Sequence, residues 1–149
     1  MFVAIIMGSK SDEAHGRAIA QLIEQFVVRT EIYVASGHKV PELVLDIVND
    51  YNKSDEDIVY ITIAGRGNGL SGIVAANSVH PVISCPPYKD RMDYMINIHS
   101  STMMPSDTPS MTVVDPQNAA LAALRILALT DKKLKKRIGE HINEMKEAF

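Results

Sequence analysis

Phe2-Val3-Ala4-Ile5-Ile6-Met7-Gly8-Ser9-Lys10-Ser11-Asp12 decides the fold: six apolar residues in unbroken succession, then a glycine, then polar residues able to start a helix. A continuous rather than alternating apolar run marks a strand covered on both faces, as in a parallel sheet. Gly8 ends the strand. Asp12 is placed to cap a helix over about 13–27, whose Ile19, Leu22, Ile23 and Phe26 recur at three- and four-residue spacing.

The same unit repeats along the chain. Residues 30–35 read as a second strand, and Pro41 opens a helix with Leu43, Val44, Ile47 and Val48 facing inward. A third strand, 57–64, leads into a glycine-rich loop and a short helix over about 71–79; a fourth strand covers 81–84. A brief helix near 91–98 precedes a fifth strand, 111–114, and Pro116 opens an alanine- and leucine-rich helix that reaches residue 129. Thr130 or Asp131 caps a last, highly charged helix. Its inner stripe of Leu134, Ile138, Ile142 and Met145 is narrow, which suits docking of 131–149 on a neighbouring subunit rather than on its own core. Alternating strands and helices with short connections predict one α/β domain over 1–149, a parallel sheet with helices on both faces.

Composition limits the function. The 149 residues carry 46% apolar and 22% charged side chains, enough for one full core. Fifteen basic against eighteen acidic residues give a net charge of -3, no electrostatic footprint for nucleic acid or an anionic membrane. Partners among nucleic acids and membranes are therefore not expected, and a small ligand is. One cysteine, Cys85, and an N-terminus without a basic leader predict a cytoplasmic protein.

In open parallel sheets ligands bind beyond the carboxyl ends of the strands, and the loops there hold nearly all the chemistry of this chain. Gly8, Ser9 and Ser11 offer backbone N–H groups at a helix start, where an anion is favoured; Asp12 beside them suits sugar hydroxyls. The pair reads either as a ribose-phosphate cradle or as a capping turn. His38, between Gly37 and Lys39, brings a proton-exchanging imidazole next to an ammonium able to hold an anion; a solvated surface histidine is the alternative. The loop 64–72 contains Gly65, Gly67, Gly69 and Gly72 but neither GxxxxGK[ST] nor GxGxxG, so the usual triphosphate and dinucleotide signatures are missing. Arg66 balances a ligand carboxylate or pairs with a surface acid. His38 and Glu42 lack a third metal ligand, so no metal site is expected. His15, His80, His99 and His141 stand without comparable neighbours and read as structural or solvated, and Cys85 reads as a buried thiol with no basic partner.

Read together and in order, Met7-Gly8-Ser9-Lys10-Ser11-Asp12, Ser36-Gly37-His38-Lys39, Ala64-Gly65-Arg66-Gly67-Asn68, Cys85-Pro86-Pro87, Ser100-Ser101 with Met104-Pro105, and Asn118-Ala119-Ala120 resemble the PurE family of purine biosynthesis across almost the whole chain. That resemblance implies a flavodoxin-like three-layer αβα sandwich, assembled as a homo-octamer with active sites at subunit interfaces. It also implies one of two activities: direct carboxylation of 5-aminoimidazole ribonucleotide (AIR) by CO2, or rearrangement of N5-carboxyaminoimidazole ribonucleotide to the 4-carboxy isomer. The mutase branch typically reads Ser-Ala-His-Arg and Ala-Gly-Gly-Ala-Ala-His-Leu-Pro-Gly at the second and third loops. Lys39 and the histidine-free run from Arg66 to Gly72 look like the carboxylase branch. Gly37, Gly67 and Met103 depart from that branch, where Ala, Ser and Arg are common.

On this resemblance His38 moves the C4 proton, Ser9, Ser36 and Lys39 hold the phosphate with Ser11 and Gly37 in the same cradle, and Asp12 binds the ribose. Gly65, Arg66, Gly67 and Asn68 shape the pocket for the base and its new carboxylate. An electron-rich aminoimidazole attacks CO2 without biotin, metal or ATP, so no cofactor is expected. The remaining rival is a non-catalytic flavodoxin-like module that binds a phosphorylated ligand or FMN.

Overall fold

Every residue of β1 (Phe2–Met7) is buried, and its two faces feed two separate cores. Val3, Ile5 and Met7 face Ile19 and Ile23 of α1 (Glu13–Gln25) and a small-residue surface of α5 (Pro116–Leu127), where Ala119, Ala120 and Ala123 let helix and sheet approach closely. Phe2, Ala4 and Ile6 face Val44 and Val48 of α2 (Pro41–Tyr51) and Leu70 and Val74 of α3 (Gly69–Asn77). Each fully buried aliphatic side chain contributes about 1.5–3 kcal/mol relative to exposure, so helices are held to both faces of the sheet. The computed structural model describes residues 1–148.

The strands β1, β2 (Arg29–Val34), β3 (Ile58–Ile63), β4 (Val82–Ser84) and β5 (Met111–Thr112) form one parallel sheet in the order β2-β1-β3-β4-β5. This is the flavodoxin-like order, and its switch point lies between β1 and β3. At their carboxyl ends Gly8 N–H donates to the Ile63 carbonyl and Ala35 N–H to the Met7 carbonyl, each at 2.8 Å. The first three loops therefore leave the sheet side by side.

Several boundaries differ from the sequence expectation for local reasons. Asn68 caps α3 by accepting from Ser71 N–H at 3.0 Å, so the helix starts at Gly69 rather than near 71. Asp90 caps α4 (Arg91–Thr102), which runs four residues beyond the expected end. In α2, Leu43 is 46% exposed, and the inward face is Val44 and Val48 with Ile47 partly covered. Asp131 caps α6 (Lys132–Glu147), accepting from the N–H groups of Lys133 and Leu134. The first half of that helix packs on its own chain: Leu134 and Ile138 join the α1–α5 core and Arg137 donates to the Phe26 carbonyl at 3.0 Å, while Met145 stays exposed. No helix among the described residues is long and apolar enough to cross a membrane.

Candidate active site

The loop after β1 turns once as a 3-10 helix, Lys10–Asp12, before α1 begins. Ser9 caps that turn, its Oγ accepting from Ser11 N–H at 3.2 Å and from Ser11 Oγ–H at 2.9 Å. Asp12 occupies the N-cap position of α1 but makes no side-chain capping bond, which corrects the sequence reading. Its carboxylate accepts from Ser11 Oγ–H at 3.4 Å, and burial raises its pKa above the ordinary value, opposed by the Ser11 contact, by the charges of His15 and Lys89 and by the Ser9 backbone N–H. An acceptor left free of the helix it starts is available to a ligand.

His38 rests on the glycine loop after β3. Gly67 has φ +56, the left-handed region that favours glycine, and a Cβ there would lie 3.8 Å from His38 Cε1. Gly37 packs far more tightly, against the start of α3: an added Cβ would fall 2.8 Å from both N and Cα of Leu70. That is backbone against backbone, so the glycine at this departure from the family pattern is sterically required here.

Behind the loop lies a buried hydroxyl network. The Asn68 amide, 6% exposed, donates to Ser84 Oγ and Ser101 Oγ, both at 2.9 Å, and its backbone N–H donates to Ser100 Oγ at 2.7 Å. Ser71 Oγ donates to Ser84 Oγ at 3.0 Å and shares a 2.7 Å hydrogen bond with Thr62 Oγ1; Thr112 Oγ1 donates to the Ser101 carbonyl. These bonds tie β3, β4, β5, α3 and α4 to one loop, and their satisfaction rigidifies it. Asn68 thus spends its side chain on holding the loop.

Every site residue read from the sequence lines one of three adjoining cavities. Ser9, Ser11, Asp12, Lys39, Gly65 and Arg66 line a cleft of about 850 Å³. Ser36, Gly37, His38 and Gly67 join Ser9 and Asp12 around a recess of about 150 Å³. His38, Gly67 and Asn68 also border a groove of about 500 Å³ whose other wall carries Met103, Met104 and Pro105. Arg66 is 82% exposed, with Asp93 Oδ1 3.8 Å away. His38 stands where the recess and the methionine-lined groove meet.

Sequence reasoning gave no individual role to several residues of these walls. Tyr88, Lys89, Asp93 and Asn97 line the main cleft, brought there by the loop 85–90 and α4. Asn97 Nδ2 donates to the Pro87 carbonyl at 2.7 Å, and its amide lies beside Gly65. His15 lines the cleft and His99 the groove, against the expectation that both lack company. The three-residue step from Asp12 to His15 was the legible signal, since such residues share a helix face. Cys85 is buried as expected, but it has a basic neighbour: His15 Nε2 lies 3.3 Å from its Sγ. His80 and His141 are structural, the first bonded to the Tyr51 carbonyl and the second stacked edge-on against Phe26. Among the described residues no three His, Cys, Asp or Glu side chains form a metal-binding group.

Comparison with known proteins places these residues in context. The sequence model of the family described as AIR carboxylase matches residues 2–148. A phosphoribosylaminoimidazole carboxylase of Archaeoglobus fulgidus is 44% identical over 138 residues, covering 93% of this chain and 75% of that protein. A protein of Methanocaldococcus jannaschii named N5-carboxyaminoimidazole ribonucleotide mutase is 40% identical over 147 residues, 97% of this chain and 90% of its own length. The crystal structure of Treponema denticola PurE superposes with a TM-score of 0.92 at 36% identity, covering 99% of this chain and 92% of that one.

Proposed function

The chain belongs to the AIR carboxylase family, and on that premise we propose that it carboxylates AIR at C4 with CO2, a step of purine biosynthesis. The observation that carries the reading is the seat of His38, an imidazole held by Gly67 and Gly69 between a recess that shares Ser9 and Asp12 with the polar cleft and a groove walled by methionine. A charged nucleotide fits the first wall and an uncharged, linear CO2 fits the second.

In this mechanism the phosphate sits at the start of α1 against Ser9 and Ser11, with Ser36, Gly37 and Lys39 closing the cradle, and Asp12 accepts from the ribose. The C4 carbon attacks CO2 and a carbon–carbon bond forms; the C4 proton then passes to His38 and aromaticity returns. Gly65, Arg66 and Gly67 border the base and its new carboxylate, and Asn68 keeps their loop in place. Holding both reactants in contact and away from water supplies the rate. The residues ask for no cofactor.

The Methanocaldococcus relative supports a second reading, the N5-carboxyaminoimidazole ribonucleotide mutase, on the same cradle and histidine. Assay of the purified protein with AIR plus CO2, and separately with N5-carboxyaminoimidazole ribonucleotide, decides between them. Turnover of AIR is expected; turnover of the N5-carboxy compound alone assigns the mutase, and turnover of neither sinks both. The assembly we propose is a cytoplasmic homo-octamer whose sites lie at subunit contacts, a reading supported by the exposed Tyr88, Met92, Met95, Ile96 and Met103 next to the cleft. Sedimentation velocity tests it: a monomer at micromolar concentration removes it.

A further inference from the structure

The mechanism leaves His15 without a task, although this residue lines the same cleft as Asp12 and follows it by three positions at the start of α1. Its Nε2 is fixed 3.3 Å from Sγ of the buried Cys85 at the end of β4. The thiol donates to the Val114 carbonyl at 3.5 Å. With the thiol proton on that carbonyl, the sulfur meets the ring as an acceptor, Nε2 carries the ring proton, and Nδ1 is left as a lone-pair acceptor. Burial lowers the His15 pKa, against the charges of Asp12 and Asp115, and burial pushes the Cys85 thiol up to about 12, so both shifts favour the neutral pair.

A neutral acceptor repels phosphate oxygens and has nothing to offer a carboxylate. What it takes is a hydroxyl. Asp12 is a second acceptor on the same helix start, with Ser11 Oγ 3.4 Å away and the Ser9 backbone N–H beside it. Two acceptors three residues apart match two adjacent donors, the pattern of a vicinal diol. We infer that His15 is a further substrate-binding residue: Asp12 accepts from one ribose hydroxyl and Nδ1 of His15 from the other, while Cys85 orients the ring. The inference rests on the nucleotide reading above and adds to it a second ribose contact, with Cys85 as a positioning residue.

The test compares AIR with its 2′-deoxy and 3′-deoxy analogues on the wild type, Asp12→Asn, His15→Ala and His15→Phe, reading kcat and KM separately. The wild type should lose about tenfold in kcat/KM for each missing hydroxyl, the scale of one hydrogen bond. His15→Ala and His15→Phe should lose about as much on AIR, chiefly in KM, and become indifferent to one missing hydroxyl while still penalised for the other. Asp12→Asn should alter the response to the opposite hydroxyl. A folded His15 variant that keeps both wild-type penalties overturns the assignment, because a merely structural role does not distinguish hydroxyls. So does a wild type indifferent to both analogues. If the variants do not fold, 15N NMR of the wild-type ring still decides: a protonated Nδ1 at neutral pH overturns the proposal. Absence of any AIR turnover or binding by the wild type is a different failure, which removes the nucleotide reading itself.

Discussion

The Cβ that Gly69 lacks would stand 2.8 Å from Nε2 of His38. The atom in its way is the movable end of a side chain, not backbone, so Gly69→Ala is absorbed by displacing the imidazole. Alanine also favours the helix that Gly69 opens, by up to about 1 kcal/mol. Stability and activity therefore separate. The variant should melt at or above the wild-type temperature while kcat/KM for AIR falls at least about tenfold, the order expected when a proton-transfer group is misplaced. Calorimetry and steady-state assay check the two halves; full activity would show that the ring does not depend on its glycine seat.

His38→Asn keeps a polar side chain in that seat but removes the group proposed to exchange a proton. KM for AIR should stay within about threefold while kcat drops by roughly a hundredfold or more. Unchanged turnover would remove His38 from the mechanism.

The hydroxyl network predicts its own cost. Asn68→Leu keeps the branched outline of four side-chain heavy atoms but deletes the donations to Ser84 and Ser101 and the cap on Ser71 N–H, leaving polar groups buried without partners. Urea unfolding should show a loss of roughly 3 kcal/mol. A loss below about 1 kcal/mol would mean that the network relaxes around the substitution.

What the sequence disclosed follows from how locally each feature is encoded. Buried parallel strands announce themselves as unbroken apolar runs, so β1 and β3 stand within a residue of their expected bounds. Gly-Ser-Lys-Ser-Asp and Ser-Gly-His-Lys are contiguous, and all their residues but Lys10 line the cavities directly. The role of Asn68 was hidden because its partners Ser84 and Ser101 lie 16 and 33 residues away. Cys85 and His15, 70 residues apart, meet only because β4 ends beside the start of α1. Contacts made by sheet order leave no period in the chain.

Val27 carries a backbone cost that no side-chain contact explains. It sits just after α1 with φ +59 and is 72% exposed, a β-branched residue at a helix-terminating position that glycine or asparagine usually fills. Val27→Gly removes the left-handed penalty, about 1–2 kcal/mol, against a smaller rise in unfolded-chain entropy. A net gain of about 0.5–1 kcal/mol is expected, with kcat and KM unchanged because the site lies at the other end of the helix. Chemical denaturation measures it, and a destabilised variant would place the strain elsewhere.

Asp12 sets stability against function in the opposite sense. Burial, the largest influence on its carboxyl, raises the folded-state pKa above 3.8, so the folded chain holds this proton more tightly than the unfolded chain does. As pH rises from 3.8 through the folded value the wild type loses that part of its stability, and it stays lost at neutral pH. Asp12→Asn carries no proton to lose. The variant should be the more stable at pH 7, with the difference shrinking as pH falls through the folded value to 3.8, while its kcat/KM on AIR drops because the proposed ribose acceptor is weakened. Melting temperatures of both proteins from pH 3 to 8 trace the effect. A difference that does not change with pH would mean that burial of the charge is not what separates them, and that the acid at this position is held by its neighbours at no cost to the fold.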